Sequence, residues 1–290
     1  MPNNFGVQDP HAVAELAVTA ESLGFDSVWV NHHVLNVGYV RDRLDGAPYQ
    51  DALTMLTWVA ARTERVRLGT SVLVLPYLHP IPLAKTLATM DQLSGGRLVL
   101  GVGVGSLEEE NIALGSDYAS RGRYSDESID VMKLLWTEEE PAYDGEFFSF
   151  SGVKASPKPQ QKPHIPIVIG GNRPPAIRRV ARVGDGWHPM AQSPRSLAKR
   201  FDALRGEMDK VGRDVTELEV QLRIDLGLGD EISGDSRHPM QGSPEQVVAD
   251  IRAYAEVGVT EMIVSLSTND TDLISSVIER YAAEVIPALR

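Results

Sequence analysis

Ser22-Leu23-Gly24-Phe25-Asp26-Ser27-Val28-Trp29-Val30 runs helix end, glycine, apolar residue, two polar residues, apolar strand. Near the other end of the chain, Glu256-Val257-Gly258-Val259-Thr260-Glu261-Met262-Ile263-Val264 repeats that order. Recurrence of one helix-to-strand unit at both ends is the pattern of βα units repeated around a parallel sheet. Between them, short β-branched apolar runs alternate with longer amphipathic stretches. Strands are expected over residues 25–30, 66–73, 98–102, 165–169, 186–188, 218–226 and 261–266, and helices over 10–23, 49–62, 81–93, 124–136, 174–183, 194–211, 244–257 and 273–289. Asp9-Pro10 and Ser243-Pro244 supply a capping side chain followed by proline at the first helical position.

These elements predict an α/β fold, a (β/α)8 TIM barrel forming one domain over 1–290. Seven strands leave one stave unassigned. The chain opens on Met1-Pro2-Asn3-Asn4-Phe5-Gly6, which reads as a loop following a strand. The first strand is therefore expected to be missing or truncated, with the natural chain extending upstream of Met1; the alternative is a short strand over 4–7. Between 138 and 166 the rhythm breaks. Asp144-Gly145, set between Ala142-Tyr143 and Phe147-Phe148, predicts a hairpin, and a Pro/Lys-rich connector follows, so this segment is expected to be an insertion near the barrel mouth.

Composition narrows the function classes. Hydrophobic residues make up 42% and charged residues 23%, enough apolar material for a large core. A net charge of −12 opposes general attraction to phosphate backbones and anionic membranes, leaving small molecules or copies of itself as partners. With no cysteine, disulfides, thiolate metal sites and thiol catalysis are excluded. A signal-peptide pattern and long apolar runs are both lacking, so a cytoplasmic protein is expected.

In such a barrel the site lies at the C-terminal ends of the strands. After Trp29-Val30 come Asn31, His32 and His33. Successive side chains on a strand point to opposite faces, so one of the two histidines faces the centre, where an imidazole suits proton transfer near neutral pH. Exposed loop histidines are the plainer alternative, and nothing in the chain completes a metal-ligand set. The run Leu100-Gly101-Val102-Gly103-Val104-Gly105 lets backbone approach a ligand, although it serves a tight turn equally well. Ser106-Leu107-Glu108-Glu109-Glu110-Asn111 opens a helix whose acids suit the dipole and are otherwise a solvated face. From Ser151 to Arg182 the chain carries Lys154, Lys158, Lys162, Arg173, Arg178, Arg179 and Arg182 and no acid. Within that stretch Gly170-Gly171-Asn172 ends a strand and opens a helix, the place where backbone amides and the dipole hold a phosphate.

The stretch from Gly24 to Gly105, including Leu68-Gly69-Thr70-Ser71-Val72-Leu73-Val74-Leu75-Pro76 and Leu93-Ser94-Gly95-Gly96-Arg97, resembles the luciferase-like monooxygenase and deazaflavin-dependent oxidoreductase family. Pro157-Lys158-Pro159, Pro166-Ile167-Val168-Ile169-Gly170-Gly171 and Gly184-Asp185-Gly186-Trp187 extend the likeness over nearly the whole chain. The resemblance implies that His33 is catalytic beside the isoalloxazine or deazaflavin ring. His32 stands where the deazaflavin branch commonly has an acid, closer to the paired histidines of luciferases. It further implies a non-proline cis peptide at Ser71–Val72 behind the ring, and cofactor contacts from Gly103, Gly105, Ser106, Gly170, Gly171 and Asn172. Glu109 is implied as a proton-transfer residue, and Arg123 with Asp126 and Glu127 fits a family motif that helix salt bridges explain equally well. The implied activity is hydride transfer with coenzyme F420. FMN-dependent monooxygenation is the runner-up, and a flavin-binding protein without catalysis is a third reading. A homodimer is implied, with the substrate pocket built by segments 36–48 and 227–242.

Overall fold

Short apolar runs buried on both faces need helices on one side and neighbouring strands on the other, and the chain meets that need by winding strand and helix alternately. The computed structural model describes residues 1–190, 193–234 and 237–289. Seven parallel strands follow in chain order: β1 (Ser27–Val30), β2 (Arg67–Thr70), β3 (Leu98–Gly103), β4 (Ile167–Gly170), β5 (Gly186–His188), β6 (Glu219–Asp225) and β7 (Glu261–Ser265). Each pairs in parallel with the next. The short strand Leu73–Val74 also pairs with β3.

Around the strands lie α1 (Pro10–Ser22), α2 (Gly38–Leu44), α3 (Ala52–Ala60), α4 (Pro80–Leu93), α5 (Glu108–Ala113), α6 (Arg121–Thr137), α7 (Pro174–Val183), α8 (Pro194–Lys210), α9 (Pro244–Glu256) and α10 (Thr271–Glu284). Strand alternation divides the strand residues between two core clusters. Leu98, Leu100 and Val102 join the large cluster shared with the helices, while Val99 packs with Trp29, Val168 and Ile263 inside the barrel. Among the described residues no helix is long and apolar enough to cross a membrane.

The barrel is near-closed, and its seam lies between β7 and β1, where no ladder forms among the described residues. The segment 4–7 is not a strand; residues 3–6 turn, and the buried side chain of Asn3 donates to the Asn31 carbonyl at 2.8 Å. Ser27 Oγ bonds Glu261 across the seam. The Met1 amine donates to the Trp29 carbonyl at 2.6 Å. A cavity of ≈ 130 Å³ lies alongside, walled by residues that include Phe5, Leu16, Phe25, Ile263 and Ile274.

The 138–166 insertion is a hairpin, Tyr143–Asp144 paired with Ser149–Phe150. Glu127 on α6 accepts from the N–H groups of Glu146 and Phe147 at 2.7 and 3.0 Å, and Phe148 packs edge-on to His79 and Tyr124. The hairpin thus sits by the N-terminal ends of α4 and α6, on the mouth side of the barrel. The connector after it must return the chain to the start of β4 at the opposite end. Lys158 donates to the Leu135 carbonyl and Gln161 to Leu98 at the foot of β3, while Lys154 pairs with Glu140.

Segment 36–48 holds α2 rather than open loop, because Val40 and Leu44 share one face and pack on Leu107. Gly227–Leu228 and Gln241–Gly242 pair within segment 227–242, of which Asp235 and Ser236 lie outside the described residues.

Arg97, the last residue of Leu93-Ser94-Gly95-Gly96-Arg97, shows what that motif does. Its guanidinium donates to the carbonyls of Ser94, Val66, Ala60 and Thr63 and to Thr63 Oγ1, all at 2.7–3.0 Å. It thereby closes the end of α3 against the starts of β2 and β3. Arg97→Met should cost about 3 kcal/mol, since several carbonyls lose a charged donor together. Urea unfolding measures this, with Arg97→Lys intermediate. A loss below about 1 kcal/mol would mean that water satisfies those carbonyls just as well.

Candidate active site

The strand ends open into a pocket of ≈ 1040 Å³. His32, His33, Ser71, Val72, Gly103, Gly105, Ser106, Gly170, Gly171 and Asn172 all line it. These residues come from the ends of β1, β2, β3 and β4, so the winding of the barrel, rather than nearness in sequence, brings them together.

The floor is Ser71–Val72, whose peptide bond is cis. Val72 fits because its flanking strands present glycine: a Cβ on Gly103 or Gly170 would lie 2.6 or 2.8 Å from a Val72 methyl. Gly105, with φ +74, clears Val74 in the same way. Arg223 on β6 donates to the Ser71 carbonyl at 3.1 Å and to Ser71 Oγ at 3.4 Å. Arginine only donates, so the Ser71 hydroxyl hydrogen is left for His188 Nε2, 2.9 Å away. His188 is buried and stacks on Trp29 at 5.5 Å. Burial, reinforced by the Arg223 charge, pulls its pKa down to about 3, so the ring is neutral.

The two adjacent histidines differ in environment. His32 is buried, which pulls its pKa down to about 4, and its Nδ1 accepts from the Val74 N–H at 3.1 Å. A neutral ring accepting at Nδ1 carries its proton on Nε2. His33 places Nδ1 2.6 Å from Glu110 Oε2 and Nε2 3.1 Å from the Tyr39 hydroxyl. Glu110 is fully buried; its other oxygen accepts from the N–H groups of Val34 and Leu35 at 2.7 and 3.0 Å. Burial pushes the Glu110 pKa up, but the bonds from His33, Leu35 and Val34 outweigh it and hold the carboxyl below its ordinary value. An ionised Glu110 can only accept, so His33 carries hydrogen on Nδ1. Nε2 is thereby left to take up or release a proton.

Glu109, the acid singled out from the sequence, is exposed on α5 and does not line the pocket. One helical step separates it from Glu110, the carboxylate that the fold turns inward. The signal was the spacing from Leu107, a buried residue three positions earlier on the same face.

The basic run is also redistributed. Only Arg173 and Arg179 of it line the pocket, and Arg179 is neutralised by Asp126 at 2.8 Å. Arg182 pairs with Asp126 and Asp130, Arg178 points to solvent, and the lysines lie along the outer wall because the connector runs there. Three further pocket arginines, Arg43, Arg121 and Arg223, come from elsewhere in the chain, and among the described residues no Asp or Glu joins them in the lining. Arg121 stacks over Tyr118 at 3.7 Å, and its buried Nε has no partner. Arg123 pairs with Glu146 on the surface.

Gly170-Gly171-Asn172 leads into α7. Gly171, at φ +121, is pinned by its N–H to the His188 carbonyl and by its own carbonyl, which accepts from Trp187 Nε1 at 2.9 Å. The Asn172 side chain is spent on both backbone groups of Met190. Pro174 and Pro175 bring no N–H to the first turn. Anion-binding capacity here therefore rests on the Asn172 and Arg173 amides, the helix dipole and the Arg173 guanidinium.

Comparison with known proteins places these features in a lineage. The family model for luciferase-like monooxygenases matches residues 2–233. An F420-dependent glucose-6-phosphate dehydrogenase of Kineococcus radiotolerans is 28% identical, covering 97% of this chain and 94% of that protein. An uncharacterised protein of Mycobacterium tuberculosis is 32% identical over 95% of this chain and 93% of its own length. Among solved structures, a monooxygenase from Streptomyces bottropensis superimposes with a TM-score of 0.82 at 23% identity, covering 99% of this chain and 98% of that one. An F420-dependent secondary alcohol dehydrogenase bound to an F420-acetone adduct gives 0.82 at 21%, covering 98% and 96%. Both structural likenesses are of fold.

Proposed function

The chain belongs to the luciferase-like monooxygenase family, and from that premise we propose that it is an oxidoreductase using coenzyme F420 to move hydride to or from a small organic substrate. The observation that carries this reading is a large pocket whose lining, among the described residues, holds no carboxylate and includes Arg121 and Arg173, neither of them in an ion pair, in a protein of net charge −12. A ligand with several negative charges suits such a lining. F420 carries a phosphate and an acidic glutamate tail, whereas FMN ends at its phosphate and needs one anion site.

The residues present fit such a group. Val72, framed by Gly103 and Gly170, forms an apolar floor that a ring can lie on, and the Gly171–Arg173 turn offers amides and a guanidinium to a phosphate. When bound, the deazaflavin supplies a ring carbon that accepts or gives hydride and hardly reacts with dioxygen. The protein's part is to orient and to move a proton. For an alcohol substrate, His33 Nε2 takes the hydroxyl proton as hydride leaves the carbon, and the reverse reaction returns it; Glu110 holds the ring in the required tautomer. Arg223 and His188 fix Ser71, and His32 Nε2–H is a fixed donor in the pocket lining.

The experiment is a titration of purified protein with F420 and with FMN at several salt concentrations. F420 should bind at least about tenfold tighter, and its affinity should fall more steeply with salt because more charges are paired. Equal salt slopes, tighter FMN binding, or substrate-dependent oxygen uptake with reduced FMN would make this a monooxygenase instead.

A further inference from the structure

The phosphate and tail of the cofactor account for cations near the Gly171–Arg173 turn, but two of the pocket arginines belong to a separate network. Arg43 on α2 donates to the Asn4 carbonyl at 3.0 Å, Asn4 Oδ1 accepts from Asn31 at 3.1 Å, and Asn31 Oδ1 accepts from Arg223. Neutral groups hold both guanidiniums, and neither has a carboxylate partner among the described residues. Burial holds Arg223 below its ordinary pKa although the nearby Asp225 charge opposes it, with Arg43 adding to the lowering. Tyr49 completes the group. Its ring lies edge-on to His33 at 5.8 Å, and its hydroxyl is buried without a hydrogen-bond partner. Fixed cations with no carboxylate in direct contact and an unmet buried hydroxyl are costly features unless a ligand meets them.

We propose that Arg43, Arg223 and Tyr49 form an anion subsite that takes a carboxylate or phosphoryl group on the substrate and thereby sets the reacting carbon beside His33. The proposal rests on the oxidoreductase reading above and names its substrate class: a small organic anion. Guanidinium forks match either oxyanion geometrically, and the tyrosine hydroxyl adds a neutral donor. The group lies on the β1 and β6 side of the pocket, whereas the Gly171–Arg173 turn follows β4.

Calorimetric titration with inorganic phosphate and with acetate, on F420-saturated protein and on protein alone, tests this. F420-saturated wild type should bind one anion saturably. Arg43→Met should weaken that binding about tenfold or more and Tyr49→Phe by a smaller factor, with F420 affinity kept within about twofold. Tighter phosphate than acetate assigns a phosphoryl group, and the reverse order a carboxylate. If Arg223→Met fails to fold, the Arg43 and Tyr49 variants still decide. Absence of saturable anion binding to the F420-saturated protein would overturn the proposal. So would an Arg43→Met variant that loses F420 affinity and keeps the anion, which would assign these arginines to the cofactor tail. Should F420 itself fail to bind, the cofactor reading falls, and Arg43→Met measured on the protein alone still reads the subsite.

Discussion

Replacing His33 with alanine is expected to lower turnover by about 10²- to 10⁴-fold, the usual worth of a positioned acid–base group. The expectation rests on the direction in which its nitrogens point. Nδ1 is committed to Glu110, a buried carboxylate with three donors, which leaves Nε2 as the only proton-exchanging atom of the ring. Glu110→Gln should also slow the reaction, because an amide can stabilise the other tautomer and carries no charge to support an imidazolium. The fold should survive His33→Ala, since the ring is partly exposed and its loss leaves Glu110 with two backbone donors. Single-turnover reduction of F420, measured with its binding constant, separates the cases. Turnover unchanged in His33→Ala would remove this residue from the mechanism, and a parallel loss of F420 affinity would make it a binding group instead.

The barrel was legible because its signal is local and repeated: each apolar run closes within a residue or two of an observed strand, and the cap-plus-proline pairs at Asp9 and Ser243 start helices as read. The site was legible only where one strand end carries it. His32-His33 and Ser71-Val72 each follow their own strand, and the winding does the rest. The basic run is not legible in the same way, because a run of like charges says nothing about where a connector travels. The chain must descend from mouth to foot before β4, which takes Lys154, Lys158 and Lys162 away from the pocket. The arginines that do reach it are solitary, and their signals are of another kind. Arg223 interrupts β6, whose Val220, Leu222 and Ile224 all join the core shared with the helices, so alternation alone turns Arg223 to the other face. Arg97 carries the opposite lesson: a residue within a stretch that carries the family resemblance is a structural clamp.

Acid should destabilise the protein well before its surface carboxylates are all protonated. His32 and His188 are both held far below the ordinary histidine value of 6.5, at about 4 and about 3, chiefly by burial. The unfolded chain therefore binds these two protons over a pH range in which the folded chain does not. Stability is fully present above the unfolded pKa and is lost as pH falls toward the folded values. By pH 4 each histidine should have removed roughly 3 kcal/mol, against a usual net stability of about 5–15 kcal/mol. Glu110, with its pKa lowered, adds to the loss at the acid end, while Glu261, raised chiefly by burial, opposes it. The two histidines act early because their window opens at pH 6.5, above the range in which carboxylates titrate. Urea midpoints of wild type, His32→Asn and His188→Asn, taken from pH 7 to pH 4, measure the share of each. Each single variant should start less stable at pH 7, having lost the bond to Val74 or to Ser71, yet decline less steeply on acidification. Wild-type stability that stays flat from pH 6.5 to pH 5 would mean that one or both rings take up protons in the folded state through water that reaches them, and the neutral tautomers assigned at the floor of the pocket would then be wrong.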